Sequence, residues 1–375
     1  MKVTFVHNAT VIIETPDLKI LCDPWFTDGA YDGSWYHWPP VEDKIPDVDV
    51  VWVSHVHPDH YDPAWLTQYL ATHDARLMIA DQPLLLAAML RDGFTPEVID
   101  SVTVGHTELH AVPDCALPLD NIDSALVVKS GSESVVNVND CAIYPDLAKR
   151  LQELAPNPDI ALLPFAGAGP WPQTFVGAPK AIMRHAVRDR TDAFLAQFGE
   201  WREFLNPHTT VPFAGQYMLG GPNFPLNANR GIPDPLVCGI LTRVVVLNSY
   251  GTVDTNGVVD GLRTEPLPAP EARKWVPMAW ESDTDIPTLD MVAEAVTRAA
   301  RLVKAPPVTI HTETLEVRVG SFQLGAVHVP DRYLFGLLTG KYQWDSALTG
   351  SNVRFSGSGQ VASKAFRDFY NRLHV

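Results

Sequence analysis

The residues of this chain best suited to chemistry lie in Ser54–His60, which reads Ser-His-Val-His-Pro-Asp-His. The segment directly follows the apolar run Val50–Val53, which predicts a buried strand. A strand end holds side chains rigidly, and the turn after it lets them converge. Imidazole and carboxylate groups suit zinc, iron or manganese. The side chains of this segment that can bind a metal are His55, His57, Asp59 and His60.

The spacing divides these ligands between two neighbouring metal positions. Alternate side chains of a strand point to the same side, so His55 and His57 can share one metal ion. Asp59 and His60 belong to the turn and can face a second position beside the first. Two metal ions about 3.5–4 Å apart can activate an oxygen species held between them. We therefore expect two divalent metal ions.

Such a pair needs a bridging carboxylate from another element. Asp140 is the best candidate, because it follows the apolar strand predicted over Ser134–Val138. An ordinary turn Asp after Asn139 is the alternative explanation. We predict Asp59 and Asp140 as catalytic residues, with Asp59 able to accept a proton in a hydrolytic reaction.

Composition and charge exclude several classes of protein. The formal net charge is -16, which argues against binding to a nucleic-acid backbone because that requires clustered cations. The chain has no apolar run of about 18 residues, so no membrane span is expected. The first residues lack the apolar stretch of a signal peptide, and none of the four cysteines forms a C-x-x-C pair. We expect a cytoplasmic protein with reduced thiols.

The order of predicted elements indicates a layered α/β fold. Short strands fill residues 2–22, a Trp- and Tyr-rich loop follows over 24–47, and strands and helices then alternate. The pattern predicts a long helix over Gly177–Phe204 and an apolar strand within Leu236–Leu247. A charged, Pro-rich linker covers about 264–287. We therefore expect a metal-binding domain over 1–260 and an α+β extension over 261–375 that packs on it.

The motif H-x-H-x-D-H after an apolar strand, behind a β-rich segment that contains Asp23-Pro24, resembles the metallo-β-lactamase fold superfamily. The resemblance implies an αββα sandwich with metal ions at the edge of the sheets. Together with the C-terminal pattern, the expected fold class is α/β: an αββα metallo-β-lactamase-like sandwich with a C-terminal α+β extension.

Other segments are similar to one branch of that superfamily, the CMP-N-acetylneuraminate hydroxylase-like proteins. They are Asn137–Cys141, Phe165–Pro172, Pro212–Tyr217, Trp344-Asp345 and Gly350-Ser351. The branch implies an iron-dependent monooxygenase that uses O2 and supplied electrons. Its eukaryotic members carry a Rieske domain, and this sequence has no C-x-H…C-x-x-H pair. Either a separate electron-donor protein supplies the electrons, or the chemistry differs.

Two ligand positions of the superfamily depart from the zinc-hydrolase pattern. Zinc hydrolases usually take one His from a third motif and one from a fifth, but the fifth-motif region Pro212–Gly215 has no His. His208 lies just before it, where a surface histidine is the alternative. Asp114, Asp120 or His110 could supply the third-motif ligand, and Asp114 is added to the predicted metal set. Fewer histidines and more carboxylates favour iron over zinc, and zinc or manganese is the alternative metal.

The resemblance also selects residues for contact with a small-molecule substrate. The Gly- and Pro-rich segment Phe165–Pro172 follows a strand end, where binding loops often lie, although a plain connecting turn is the alternative. Trp344 and Asp345 could stack on and hydrogen-bond a substrate ring, and the alternative is that Trp344 packs in the core while Asp345 caps a helix. The predicted substrate contacts are Phe165, Gly167, Trp171, Gln216, Trp344 and Asp345.

Three functions fit these patterns. The favoured one is a non-haem iron oxygenase that hydroxylates a small molecule. The alternative is a zinc- or manganese-dependent hydrolase of an ester, amide or phosphodiester bond. The third is a member of the fold that serves only as a binding module, against which the intact ligand motif argues.

Overall fold

The computed structural model describes residues 1–114 and 122–374. Its strands, in chain order, are β1 Lys2–His7, β2 Thr10–Glu14, β3 Lys19–Cys22, β4 Trp35–His37, β5 Val50–Val53, β6 Arg76–Ile79, β7 Glu97–Val98, β8 Ser101–Val104, β9 Thr107–Pro113, β10 Ser124–Ser130, β11 Glu133–Asn137, β12 Ile160–Pro164, β13 Thr209–Phe213, β14 Tyr217–Leu219, β15 Leu247–Asp254, β16 Val259–Leu262, β17 Val308–His311, β18 Glu316–Val319, β19 Gly325–His328 and β20 Arg354–Gly357.

The helices connect and cover these strands. They are α1 Ala30–Gly33, α2 Pro63–Leu70, α3 Pro83–Arg91, α4 Pro145–Leu154, α5 Lys180–Leu205, α6 Leu289–Leu302, α7 Asp331–Leu338, α8 Trp344–Thr349 and α9 Lys364–Tyr370. Short 3-10 helices span Gly221–Asn229, Pro235–Ile240 and Gly359–Ala362. Within the described ranges, none of the helices combines the length and apolar character that crossing a membrane requires.

Two large mixed sheets face each other. One has the strand order β16-β15-β1-β2-β3-β5-β6-β7 and the other β13-β12-β11-β10-β9-β8. In the first sheet β3, β5, β6 and β7 run parallel, and in the second β11, β12 and β13 do so. Apolar side chains between the sheets, among them Val11, Val50, Leu126 and Leu162, form one buried core.

Helices cover the outer face of each sheet. Trp65 and Leu66 of α2 pack with the outward side chains of the first sheet. Phe198 and Trp201 of α5 do the same on the second sheet. The layers are therefore helix, sheet, sheet and helix, which confirms the predicted αββα sandwich.

One edge of this sandwich collects the ends of several strands. Asp59 follows β5, Asp140 follows β11, Ala166 follows β12 and Ala214 follows β13. All four residues line the same cavity. Because strands end together at this edge, residues far apart in the sequence meet there.

The C-terminal part has an apolar core of its own. A sheet of order β18-β17-β19-β20 packs with α6 to α9, and Val327, Leu337, Phe355 and Tyr370 are fully buried there. Phe175 joins this core through a β-bridge to Phe355. The α+β extension is thus present as expected, whereas the boundary at residue 260 stays a prediction.

Two local expectations were wrong. The strand expected within Leu236–Leu247 is a 3-10 helix at Pro235–Ile240, and β15 begins only at Leu247. Pro235 cannot donate to a sheet, and the Asp234 side chain accepts the backbone N–H of Leu236, which stabilises a helical start. The loop expected over 24–47 also contains α1 and β4, and β4 pairs with β14.

The core between the sheets gives a stability prediction. Leu162 is fully buried there, so we expect Leu162→Ala to lower the free energy of unfolding by about 2–5 kcal/mol. Leu84 on α3 is 60% exposed, and Leu84→Ala should change that free energy by less than about 0.5 kcal/mol. Urea denaturation followed by circular dichroism measures both, and equal losses would contradict the packing described.

Candidate metal centre

The ligand motif lies between a buried strand and a capped helix. β5 is buried along its whole length, and its chain then turns so that the backbone N–H groups of His60 and Tyr61 donate to the carbonyl of His57 (3.0 and 2.8 Å). Asp62 accepts the N–H of Trp65 (3.0 Å) and so caps α2. Both ends of the turn are therefore fixed, which positions the histidines.

The imidazole nitrogens that face inward converge with carboxylates from two other segments. His55 Nε2 lies 2.9 Å from His57 Nδ1 and 3.5 Å from Asp123 Oδ1. His60 Nε2 lies 3.4 Å from Asp59 Oδ2 and 3.5 Å from Asp140 Oδ2. Among the residues that the structure describes, two groups have all their donor atoms within 4.8 Å of one another: His55, His57 and Asp123, and His55, His60 and Asp140.

The opposite nitrogen of each ring has its own partner. His55 Nδ1 lies 2.8 Å from Ser54 Oγ, and His60 Nδ1 lies 3.2 Å from Asp23 Oδ2. His57 Nε2 lies 2.9 Å from Asp345 Oδ2. Metal-bound histidines in proteins show this arrangement, in which the outer nitrogen is held so that the inner lone pair faces the metal.

Asp59 is held by two further groups of the N-terminal part. Its Oδ1 accepts a hydrogen bond from the Tyr31 hydroxyl (2.6 Å), and its Oδ2 accepts one from Asn8 Nδ2 (3.0 Å). Burial alone would raise the pKa of Asp59, but the charge and hydrogen bond of His60 and the Tyr31 hydroxyl lower it to about 2. Asp59 is therefore a carboxylate at neutral pH.

The electrostatics of the cluster fit a divalent cation. Burial and the neighbouring Asp140 raise the pKa of Asp123 to about 7. Burial, helped by the other two imidazoles, lowers the pKa of His55 well below its usual value. A bound cation would stabilise ionised Asp123 and use the lone pair of neutral His55. The residues present therefore fit a metal centre.

Asp123 is a ligand candidate that lies outside the sequence motifs. It directly precedes the apolar strand β10, and an acidic residue at the start of a buried strand was the one sequence feature that could have indicated it. Asp114 is buried nearby, and its backbone N–H donates to the carbonyl of Asp123, but it is in neither converging group. His110 bonds Glu108 (3.1 Å) and is also in neither group, and Asp120 lies outside the described residues.

The other predicted metal residues lie as follows. His55, His57, His60 and Asp140 belong to the converging groups, and Asp59 contacts His60. His208 is exposed and lies 3.4 Å from Asp159, remote from the cluster. Which of these residues bind metal, and how many ions they hold, stays a prediction.

Four side chains of the cluster, His57, Asp59, Asp123 and Asp140, line a cavity of about 270 Å³. Of the predicted substrate contacts, Gly167 and Asp345 line it. The other four do not belong to its lining. Phe165 is in the core behind the second sheet and Trp344 is in the C-terminal core, while Trp171 packs against that core and Gln216 is buried beside β14.

The contact between Asp345 and His57 gives a testable prediction. Because this carboxylate orients a proposed ligand, we expect Asp345→Asn to weaken metal binding by about 10–100-fold. Asp290 is likewise exposed in the first turn of a helix, but it belongs to α6, so Asp290→Asn is the matched control. Competition titration with a metal-sensitive dye measures both affinities. Unchanged affinity in the Asp345 variant would exclude an orienting role.

Comparison with known proteins agrees with this geometry. Residues 2–183 match the family model described as a beta-lactamase superfamily domain. A Mycolicibacterium smegmatis protein named as a Rieske 2Fe-2S iron-sulfur protein is 28% identical over 312 residues, 72% of this chain and 57% of that protein. The cytidine monophosphate-N-acetylneuraminic acid hydroxylase of Danio rerio is 24% identical over 238 residues, 59% of this chain and 39% of that enzyme. The chain thus spans about half the length of the curated relatives it matches.

Solved structures of both chemistries are also similar to this chain. An isothiocyanate hydrolase from Delia radicum gut bacteria is 17% identical with a TM-score of 0.46, over 68% of this chain and 99% of that one. CmlA, a diiron β-hydroxylase from Streptomyces venezuelae, is 17% identical with a TM-score of 0.41, over 62% of this chain and 47% of that one. At these scores the likeness favours neither chemistry. Over residues 2–183 the chain resembles the beta-lactamase superfamily domain, in agreement with its ligand motif and its sandwich.

Proposed function

We propose that the protein is a non-haem iron oxygenase that hydroxylates a small molecule. The observation that carries this proposal is the donor set. Each converging group consists of two histidines and one aspartate, and the groups share His55: His55 and His57 with Asp123, or His55 and His60 with Asp140. Because the inward nitrogen of His55 can bind only one ion, one group at a time is complete. Two histidines and one carboxylate with open coordination positions are the ligands typical of non-haem iron oxygenases.

Different residues of this chain would have different roles in the reaction. Iron bound to these side chains would supply the activation of O2, with electrons from a reductant. Asp59, fixed by Tyr31 and Asn8, keeps a negative charge beside His60. The apolar side chains of Phe194 and Leu348 line the cavity and would hold the carbon framework of the substrate while limiting the access of water.

The end of β13 supports an open coordination position. Ala214 follows this strand and lines the cavity, in the region where zinc hydrolases of the superfamily usually carry a histidine. A methyl group cannot bind a metal, so Ala214 would leave this side of a bound ion to O2 or substrate.

The proposal requires an electron donor. Relatives named as Rieske iron–sulfur proteins support an iron–sulfur donor. Because this chain matches only part of those relatives, the identity of the donor and of the substrate is part of the proposal.

A metal-dependent hydrolase is the second candidate, and one observation favours it. Asp123 lines the cavity with a pKa raised to about 7, mainly by burial, which suits a general base at neutral pH. In that case zinc or manganese would supply an activated water, and Asp123 would accept a proton during hydrolysis of an ester, amide or phosphodiester.

Metal-dependent O2 consumption separates the two functions. We expect anaerobically prepared protein loaded with Fe(II) to consume O2 in the presence of a reductant, and to show a Mössbauer spectrum of protein-bound iron. His57→Ala is the control: loss of a ligand should weaken metal binding by at least the roughly tenfold effect of losing an outer-shell partner, so both signals should fall strongly. Hydrolysis of ester, lactone or phosphodiester substrates by zinc- or manganese-loaded protein, with no O2 consumption by the iron form, would overturn the oxygenase.

The choice between Asp123 and Asp114 as ligand is tested by metal content. Because Asp123 lies 3.5 Å from His55 and Asp114 is in neither converging group, we expect Asp123→Asn to weaken iron binding by at least about tenfold. Asp114→Asn, a matched change at a buried neighbour, should retain the metal. Inductively coupled plasma mass spectrometry after dialysis measures both, with thermal unfolding to verify that each variant folds. Loss of metal from the Asp114 variant but not from the Asp123 variant would identify Asp114 as the ligand instead.

A further inference from the structure

A second cavity, of about 390 Å³, lies in the C-terminal part and shares no lining residue with the metal cavity in the part of the chain that the structure describes. Three of its side chains stand in one row across neighbouring strands. His311 on β17 is opposite His328 on β19, and His328 is opposite Arg354 on β20. The two imidazole rings stack with their centroids 5.2 Å apart.

Arg354 keeps a pair of donors for a ligand. Its Nη1 donates to the carbonyls of Ser351 (2.6 Å) and Val353 (3.3 Å), and its Nη2 donates to Asn223 Oδ1 (2.6 Å). A guanidinium has five N–H donors, so Nε and the second hydrogen of Nη2 remain. Nε and Nη2 lie on the edge of the guanidinium that can bind a carboxylate or phosphate through two parallel hydrogen bonds, and this edge is the Arg354 fork.

The charge of Arg354 is also uncompensated. The chain has 44 acidic and 28 basic residues, yet no acidic side chain of the described residues forms an ion pair with Arg354. Burial lowers the pKa of this guanidinium, and within residues 1–114 and 122–374 no carboxylate is close enough to oppose the effect. Glu313 lines the cavity as well, but its Oε2 accepts the backbone N–H of Asp331 (2.5 Å). A partly buried cation without a counter-ion is costly, and a bound anion would remove that cost.

We propose that this cavity binds a small anionic ligand through a carboxylate or phosphate group held by the Arg354 fork. His311 and His328 line the same cavity beside Arg354, with their Nε2 atoms facing Glu316 (3.7 Å) and Ser356 (2.9 Å), and the Trp280 ring provides an apolar wall for the rest of the ligand. The cavity has the volume of a typical small-molecule site. This site does not depend on the chemistry of the metal centre.

The proposal is tested with a variant that carries a carboxylate next to Arg354. His328→Glu places a carboxylate beside Arg354 in the row, where it should occupy the fork, whereas His328→Gln is the neutral control of the same size. Inorganic phosphate and malonate are titrated separately into metal-loaded protein by isothermal titration calorimetry. We expect one equivalent of at least one anion to bind the unchanged protein, with affinity at least tenfold weaker in His328→Glu than in His328→Gln.

The two titrations and the variants distinguish the possible kinds of binding site. Binding of phosphate alone identifies a phosphate site, and binding of malonate alone a carboxylate site. An equivalent that binds at the metal centre is unaffected by either variant and is counted separately. Arg354→Lys keeps the charge but removes the fork, so it should also lose at least tenfold in affinity, even if His328→Glu fails the thermal-unfolding check. Binding of neither anion, or equal affinities in the folded variants, overturns the proposal.

Discussion

The buried carboxylate of Asp23 is the contact on which the candidate metal centre depends. Its Oδ1 accepts the backbone N–H of Ser54 (2.7 Å), and its Oδ2 accepts from His60 Nδ1 (3.2 Å) and from Asn139 Nδ2. One side chain thereby joins the end of β5, the ligand turn and the loop that carries Asp140. A fully buried carboxylate is tolerated only with several such donors, so these segments stabilise Asp23 as much as it positions them.

The C-terminal part completes the site rather than only covering it. Asp345 holds the outer nitrogen of His57, and Asn352 Nδ2 donates to the carbonyl of Tyr31 (2.9 Å). Tyr31 and Asp32 have φ angles of 55° and 60°, a left-handed conformation that costs non-glycine residues about 1–3 kcal/mol each. The Tyr333 hydroxyl donates to Asp32 (2.7 Å). These contacts stabilise the turn from which the Tyr31 hydroxyl reaches Asp59.

Local spacing made part of this arrangement predictable from the sequence. The ligands of Ser54–His60 are close in the chain, so a strand and a turn are enough to bring them together. Asp123 is distant in sequence and reaches His55 only because β10 begins where β5 and β11 end. Trp344 was expected near the substrate but stacks on Tyr370 in the C-terminal core, because its burial is set by tertiary packing that an isolated Trp-Asp pair does not reveal.

The central claim is that histidines and aspartates from three segments form one iron centre. Anomalous X-ray diffraction from crystals of the anaerobically purified protein, recorded on both sides of the iron and zinc absorption edges, tests it most directly. The account predicts iron peaks within bonding distance of Asp123 with His55 and His57, and of Asp140 with His60. A zinc signal alone, or iron bound without either aspartate, would contradict it.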